Sequence, residues 1–167
     1  LEAMDIFQSG LRGATRVGTM PWLDSICYQT MIGECFYKMG KYPQAMDCYA
    51  AALTIHLSYP DWFGRLSFMG PTQPMMRGGA PWGGTARGTT LARYPDEIGY
   101  RVDQLGIMNQ GVDQQVVQSY ETRLFHGGEI VRCILLSMRR RMEILGPLSQ
   151  YDPLTDRVLA DSEAIKG

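Results

Sequence analysis

The sequence predicts a mainly α-helical fold made of helix hairpins and interrupted by a long irregular insertion. Three observations carry this. From Ile26 to Pro60 small and large residues alternate at helical spacing around a break at Gly40; from Glu129 to Leu145 apolar residues recur on one helical face; and between Trp62 and Pro95 glycine and proline crowd in with no helical period. With 167 residues, 45% of them hydrophobic, the chain can bury the core of a single domain.

In the first stretch, Ile32, Phe36 and Met39 fall on one stripe, and Ala45, Tyr49, Ala52 and Leu53 on a second. Gly33 and Ala45 lack bulk where two helix backbones must approach, and Phe36 and Tyr49 supply rings to fill the space beside them. Gly40 suits the left-handed residue that ends a helix, and Lys38 in the last turn complements the helix dipole.

Ile32-Gly33, Phe36, Gly40, Tyr42, Ala45, Tyr49 and Ala52 stand in the order and spacing of the tetratricopeptide repeat family, which this stretch resembles. It departs from the family at Leu57, where proline is usual, although Pro60 follows and can close the second helix. The resemblance implies an α-solenoid fragment and a non-catalytic scaffold, in which successive first helices line a groove for a protein segment or a second copy of the chain. On the family's pattern the groove-facing, partner-binding residues are Cys27, Thr30, Glu34, Tyr37 and Lys38. Family members that clamp a terminal carboxylate converge several cationic and amide side chains. Here the helix offers only Lys38, with Glu34 beside it.

At the N-terminus, Ala3, Phe7 and Gly10 echo the spacing of Ala45, Tyr49 and Ala52. Residues 1–16 are therefore expected to form the second helix of a partial repeat, joined through Val17 to Pro21 to the hairpin at 22–60. Because one hairpin cannot bury its own faces, such units come in stacks of about three or more, and the chain, opening on Leu1, is expected to be part of a longer repeat protein.

Residues 61–95 form the expected insertion, with Gly64, Gly70, Gly78, Gly79, Gly83, Gly84 and Gly88 punctuated by Pro71, Pro74 and Pro81. Trp62, Phe63, Phe68, Met69, Met75, Met76 and Trp82 argue that it docks on the helices rather than remaining unstructured. It also holds Arg65, Arg77, Arg87 and Arg93. Together with Arg139, Arg140 and Arg141 these make an alternative anion-binding set for a nucleic acid or phosphorylated ligand. The glycines from Gly78 to Gly84 do not match a phosphate loop, since no Lys-Ser/Thr follows.

Residues 96–127 are mixed: Ile98, Tyr100 and Val102 alternate, and Val116-Val117 lie beyond Asn109-Gln110-Gly111, which suggests a small β-hairpin, while Asp113-Gln114-Gln115 suits a helix start equally well. Residues 128–166 hold C-terminal helices. The first carries Ile130, Val131, Ile134, Leu135, Met138, Met142 and Leu145 on its predicted core face and stops at Gly146-Pro147. Asp152-Pro153 then opens a short final helix with Leu154, Val158 and Leu159.

A formal net charge of −1 argues against bulk electrostatic binding to DNA or an anionic membrane. There is no apolar run of about 18 residues and no visible signal peptide. The four cysteines, Cys27, Cys35, Cys48 and Cys133, form no C-x-x-C pair, so no metal is expected, and free thiols suggest a reducing, cytoplasmic setting. Cys27 and Cys35 lie about 12 Å apart along one helix, too far for a disulfide. No hydrolase, metalloprotease or dinucleotide motif is present. His56 and His126 fall at element boundaries, and no cofactor is expected. A regulatory part of a larger enzyme is the remaining reading.

Overall fold

The computed structural model describes residues 2–68, 92–101 and 118–164, and the chain is mainly helical. The helices are α1 (Glu2–Arg12), α2 (Ser25–Lys38), α3 (Tyr42–Leu57), α4 (Gly127–Leu145) and α5 (Pro153–Ala164). Between α1 and α2, the strands β1 (Arg16–Val17) and β2 (Met20–Pro21) pair antiparallel, with Gly18 turning between them at φ 64°. The predicted linker is thus a tight β-turn ladder.

The α2–α3 hairpin forms where the stripes predict it. Gly40 takes φ 71°, and the Lys41 and Gly40 amides donate to the Phe36 and Tyr37 carbonyls at 2.9 and 3.0 Å. These two bonds satisfy carbonyls that the end of α2 would leave bare. A methyl group added at Gly33 would sit 2.6 Å from the Tyr49 ring, and Tyr49, Ala45, Ala52 and Leu53 are fully buried. Close approach here needs glycine. Gly10 of α1 likewise lies against the Tyr28 ring of α2.

Strands β3 (Ser67–Phe68), β4 (Ala92–Arg101) and β5 (Gln118–Phe125) make an antiparallel sheet in that order, with a register shift between Arg93 and Glu97. A strand pair is thus present at Ile98 and Tyr100, where a small hairpin was one of two expectations, but β4 begins inside the stretch read as irregular and β5 is Gln118–Phe125, which was not expected to be a strand. The expected turn, with Val102 and Asn109-Gln110-Gly111, lies outside the described residues, as do Val116, Val117 and the insertion residues 69–91. Trp22 fastens the sheet to the helices: its ring meets Tyr94 and Phe125 edge-on at 5.9 and 5.0 Å. The core gathers Trp22, Leu23, Ile26, Ala52, Leu53, Trp62, Ile130, Ile134 and Val158. Burial of Trp62 supports docking of the start of the insertion.

α4 begins two residues earlier than expected and turns a different stripe inward. Ile130, Cys133, Ile134, Ser137, Met138 and Arg141 are buried, whereas Leu135 and Met142, both expected in the core, are 60% and 50% exposed. Polar partners on α2 and beyond α4 outweigh the purely apolar count that set the expected face. Met39 and Leu159 are also exposed. A 3-10 turn at Gly146–Tyr151 leads into α5, and Asp152 just before it accepts from the Thr155 hydroxyl in its first turn at 2.6 Å.

Candidate functional site

The residues expected to face a partner lie along one side of α2, and α4 occupies that side. Thr30 is wholly buried; its hydroxyl donates to the Ile26 carbonyl at 2.8 Å and lies 3.0 Å from the Ser137 hydroxyl of α4, which is left to donate to it. One turn further on, Glu34 accepts two hydrogen bonds from Arg140, from Nε at 2.8 Å and Nη2 at 3.0 Å. The Tyr49 hydroxyl adds a third at 2.6 Å. At the far end, Arg140 lies 4.2 Å over the Tyr37 ring, and the Tyr37 hydroxyl donates to Glu143 at 3.3 Å. Cys27, at the near end, stands one turn before Thr30 and so faces Cys133, one turn before Ser137.

This corrects the open-groove expectation: Cys27, Thr30, Glu34 and Tyr37 meet α4 of the same chain, and only Lys38 of the five is exposed to solvent. The physical reason is complementarity. A buried threonine hydroxyl and a largely buried carboxylate require partners, and Ser137 and Arg140 are placed at the helical spacing that supplies them.

The electrostatics follow the geometry. Burial opposes ionisation of Glu34, but hydrogen bonds from Arg140 and Tyr49 outweigh it and hold the carboxyl below its usual range. Burial, together with the same carboxylate, pushes the Tyr49 phenol well above its usual range. The two hydrogen bonds to Glu34, reinforced by Glu143, keep Arg140 firmly protonated.

The arginine triplet is likewise corrected as an anion grip. Arg140 is shared between Glu34 and Glu143, and Arg139 donates to Glu143 at 2.8 Å. Arg141 is buried in a two-pronged pair with Asp152, at 2.9 and 2.7 Å. That pair and the Thr155 hydroxyl hold the Asp152 carboxyl below its usual range. In the insertion, Arg65 donates to the Tyr94 hydroxyl at 3.2 Å and lies near Asp61, and Arg93 is exposed on β4. Arg77 and Arg87 lie outside the described residues.

Three features carried no periodic signal in the sequence. A cavity of about 380 Å³ lies beside the start of α2 and α4, walled by Trp22, Asp24, Cys27, Tyr28, Phe125 and Glu129. His126 and Ile130 also border it. Elsewhere His56, expected at a boundary, is buried: its Nδ1 accepts from Trp62 Nε1 at 2.9 Å and its Nε2 lies 3.5 Å from Asp161 on α5. Burial lowers its pKa despite Asp161. A Trp–His pair six residues apart is visible in hindsight, but nothing in its spacing distinguishes it from a loop contact.

Among the described residues no group of His, Cys, Asp and Glu is arranged to hold a metal ion, and no helix is long and apolar enough to cross a membrane. Compared with protein-family models, curated proteins and solved structures, the chain matches none of them significantly.

Proposed function

We propose that this chain is a non-catalytic scaffold of stacked, tetratricopeptide-like helix hairpins that binds a segment of a protein partner or a second copy of itself. The observation that supports the reading is the order of packing. α2 lies against α1 and α3, α4 lies against both helices of the α2–α3 hairpin, and α5 lies on α3. Each unit thus rests on its neighbour, the arrangement on which helical-repeat stacks depend.

With α4 seated on α2, the surface offered to a partner moves outward to the far side of α4. There Leu135, Arg139 and Met142 are exposed one turn apart along a single stripe. Large apolar side chains at such spacing suit the docking of a further helix or an extended segment. An anion-binding function is less well supported, because Arg140 and Arg141 already satisfy carboxylates.

The test is a Leu135→Glu/Met142→Glu variant, compared with wild type by sedimentation equilibrium and by affinity capture after nuclease treatment. Loss of self-association or of a captured protein, with the far-UV spectrum unchanged, is the expected result. Equal binding by both proteins, or recovery that depends on intact nucleic acid, would contradict it.

A further inference from the structure

Beyond its hydrogen bonds, the junction of α2 and α4 holds a pair of thiols. Thr30, one turn after Cys27 on α2, places its hydroxyl 3.4 Å from the Cys133 carbonyl of α4, so the two helices approach closely at this level. Cys27 packs against the core cluster that contains Cys133, and the register of the two helices, with Thr30 on Ser137, Glu34 on Arg140 and Tyr37 on Glu143, sets Cys27 opposite Cys133 one turn earlier. Two cysteines facing each other across closely packed helices are what a disulfide requires. The pair is also approachable: the 380 Å³ cavity, ample for a molecule as small as a peroxide, is walled by Cys27 from α2 and by Glu129 and Ile130 from α4, within one turn of Cys133.

We propose that Cys27 and Cys133 form a reversible disulfide on exposure to hydrogen peroxide, cross-linking α2 to α4. The Cys133 thiolate attacks one peroxide oxygen; the O–O bond breaks, hydroxide leaves, and Cys133 is oxidised to a sulfenic acid. The Cys27 sulfur then attacks the Cys133 sulfur and the S–O bond breaks. The departing hydroxide takes the Cys27 proton, and the first hydroxide takes the proton that Cys133 gave up. Two thiols and one peroxide thus become one disulfide and two waters.

The division of labour follows from the interaction of the thiols. Interaction with Cys27 lowers the Cys133 pKa against the opposing effect of burial, while the same interaction and burial raise that of Cys27. Burial raises the pKa of both Cys35 and Cys48, and neither has a thiol beside it, so the reaction selects one pair. The proposal is independent of which partner the scaffold binds.

The test exposes wild-type protein to hydrogen peroxide, blocks remaining thiols with N-ethylmaleimide in denaturant, and maps the products by non-reducing mass spectrometry. The expected result is loss of two of the four free thiols, with the Cys27 and Cys133 peptides joined within one chain and separated again by dithiothreitol. In the Cys27→Ser variant, dimedone should instead label Cys133. The mapping needs no variant to fold. Four thiols still free after an exposure that oxidises a cysteine peptide, or linkage through Cys35, Cys48 or a second chain, would overturn the proposal.

Discussion

The two faces of α2 are held by different physics. Toward α3 the contact is apolar and set by bulk: Gly33 admits the Tyr49 ring, and Ala45 and Ala52 let the backbones close. Toward α4 it is polar and set by pairing: Thr30 with Ser137, Glu34 with Arg140, Tyr37 with Glu143. An apolar face accepts any neighbour of the right shape, whereas a polar one penalises every partner that fails to satisfy it. The hairpin therefore fixes a shape, and the polar seam fixes which helix may lie on it.

The difference predicts opposite responses to substitution. The largest effect is expected at the buried pair beyond the seam. Arg141→Ala strands the Asp152 carboxylate and should cost about 3–5 kcal/mol in denaturant unfolding. Arg141→Met with Asp152→Asn, which keeps an acceptor for the Thr155 hydroxyl, should recover most of it; no recovery would mean that packing rather than pairing holds this end of α4.

Next comes the hairpin. Gly33→Ala forces a methyl against a fully buried ring, an overpacking cost of about 1–3 kcal/mol that a helix-propensity gain of about 1 kcal/mol offsets only in part. A stabilised variant would show that the hairpin contact is looser than described. Thr30→Val should cost about 1 kcal/mol by leaving Ser137 unpaired, and Thr30→Val/Ser137→Ala should be close to neutral. If the double variant is worse than the single, the seam is held by more than this bond.

The smallest and most gradual effect is that of pH. His56 has a lowered pKa in the folded state, so the unfolded chain takes up its proton first, and stability present above pH 6.5 is lost as pH falls through the lower folded value. Protonation also removes the lone pair that accepts from Trp62. Glu34 is depressed in the same sense from 4.5, so a second loss should begin below that pH. Melting temperatures measured from pH 8 to 3 should fall in two stages, and His56→Gln should remove the first.

How much of this was legible in the sequence follows the same division. The α2–α3 hairpin, the stop at Gly40 and the start of α5 at Asp152-Pro153 could all be read, because periodicity and turn chemistry are local signals; of the sheet only the alternation at Ile98 and Tyr100 could, and Gln118–Phe125 was not expected to be a strand. The covering of α2 by α4 could not. Thr30 and Ser137 are 107 positions apart, and a hydroxyl or carboxylate awaiting a distant partner looks the same in sequence as one facing water. The same blindness placed Leu135 and Met142 inside and left Arg141 outside, since an apolar count has no way to register Asp152. Cys27 with Cys133, and His56 with Trp62 and Asp161, belong to the same class of tertiary pairings.

The most direct test of the account is a double-mutant cycle on Glu34→Gln and Arg140→Met, with unfolding free energies measured for wild type, both single variants and the double. Pairing across the seam predicts a coupling of about 1–3 kcal/mol, the range for hydrogen bonds to charged groups. A coupling indistinguishable from zero would mean that α4 does not lie on the face of α2.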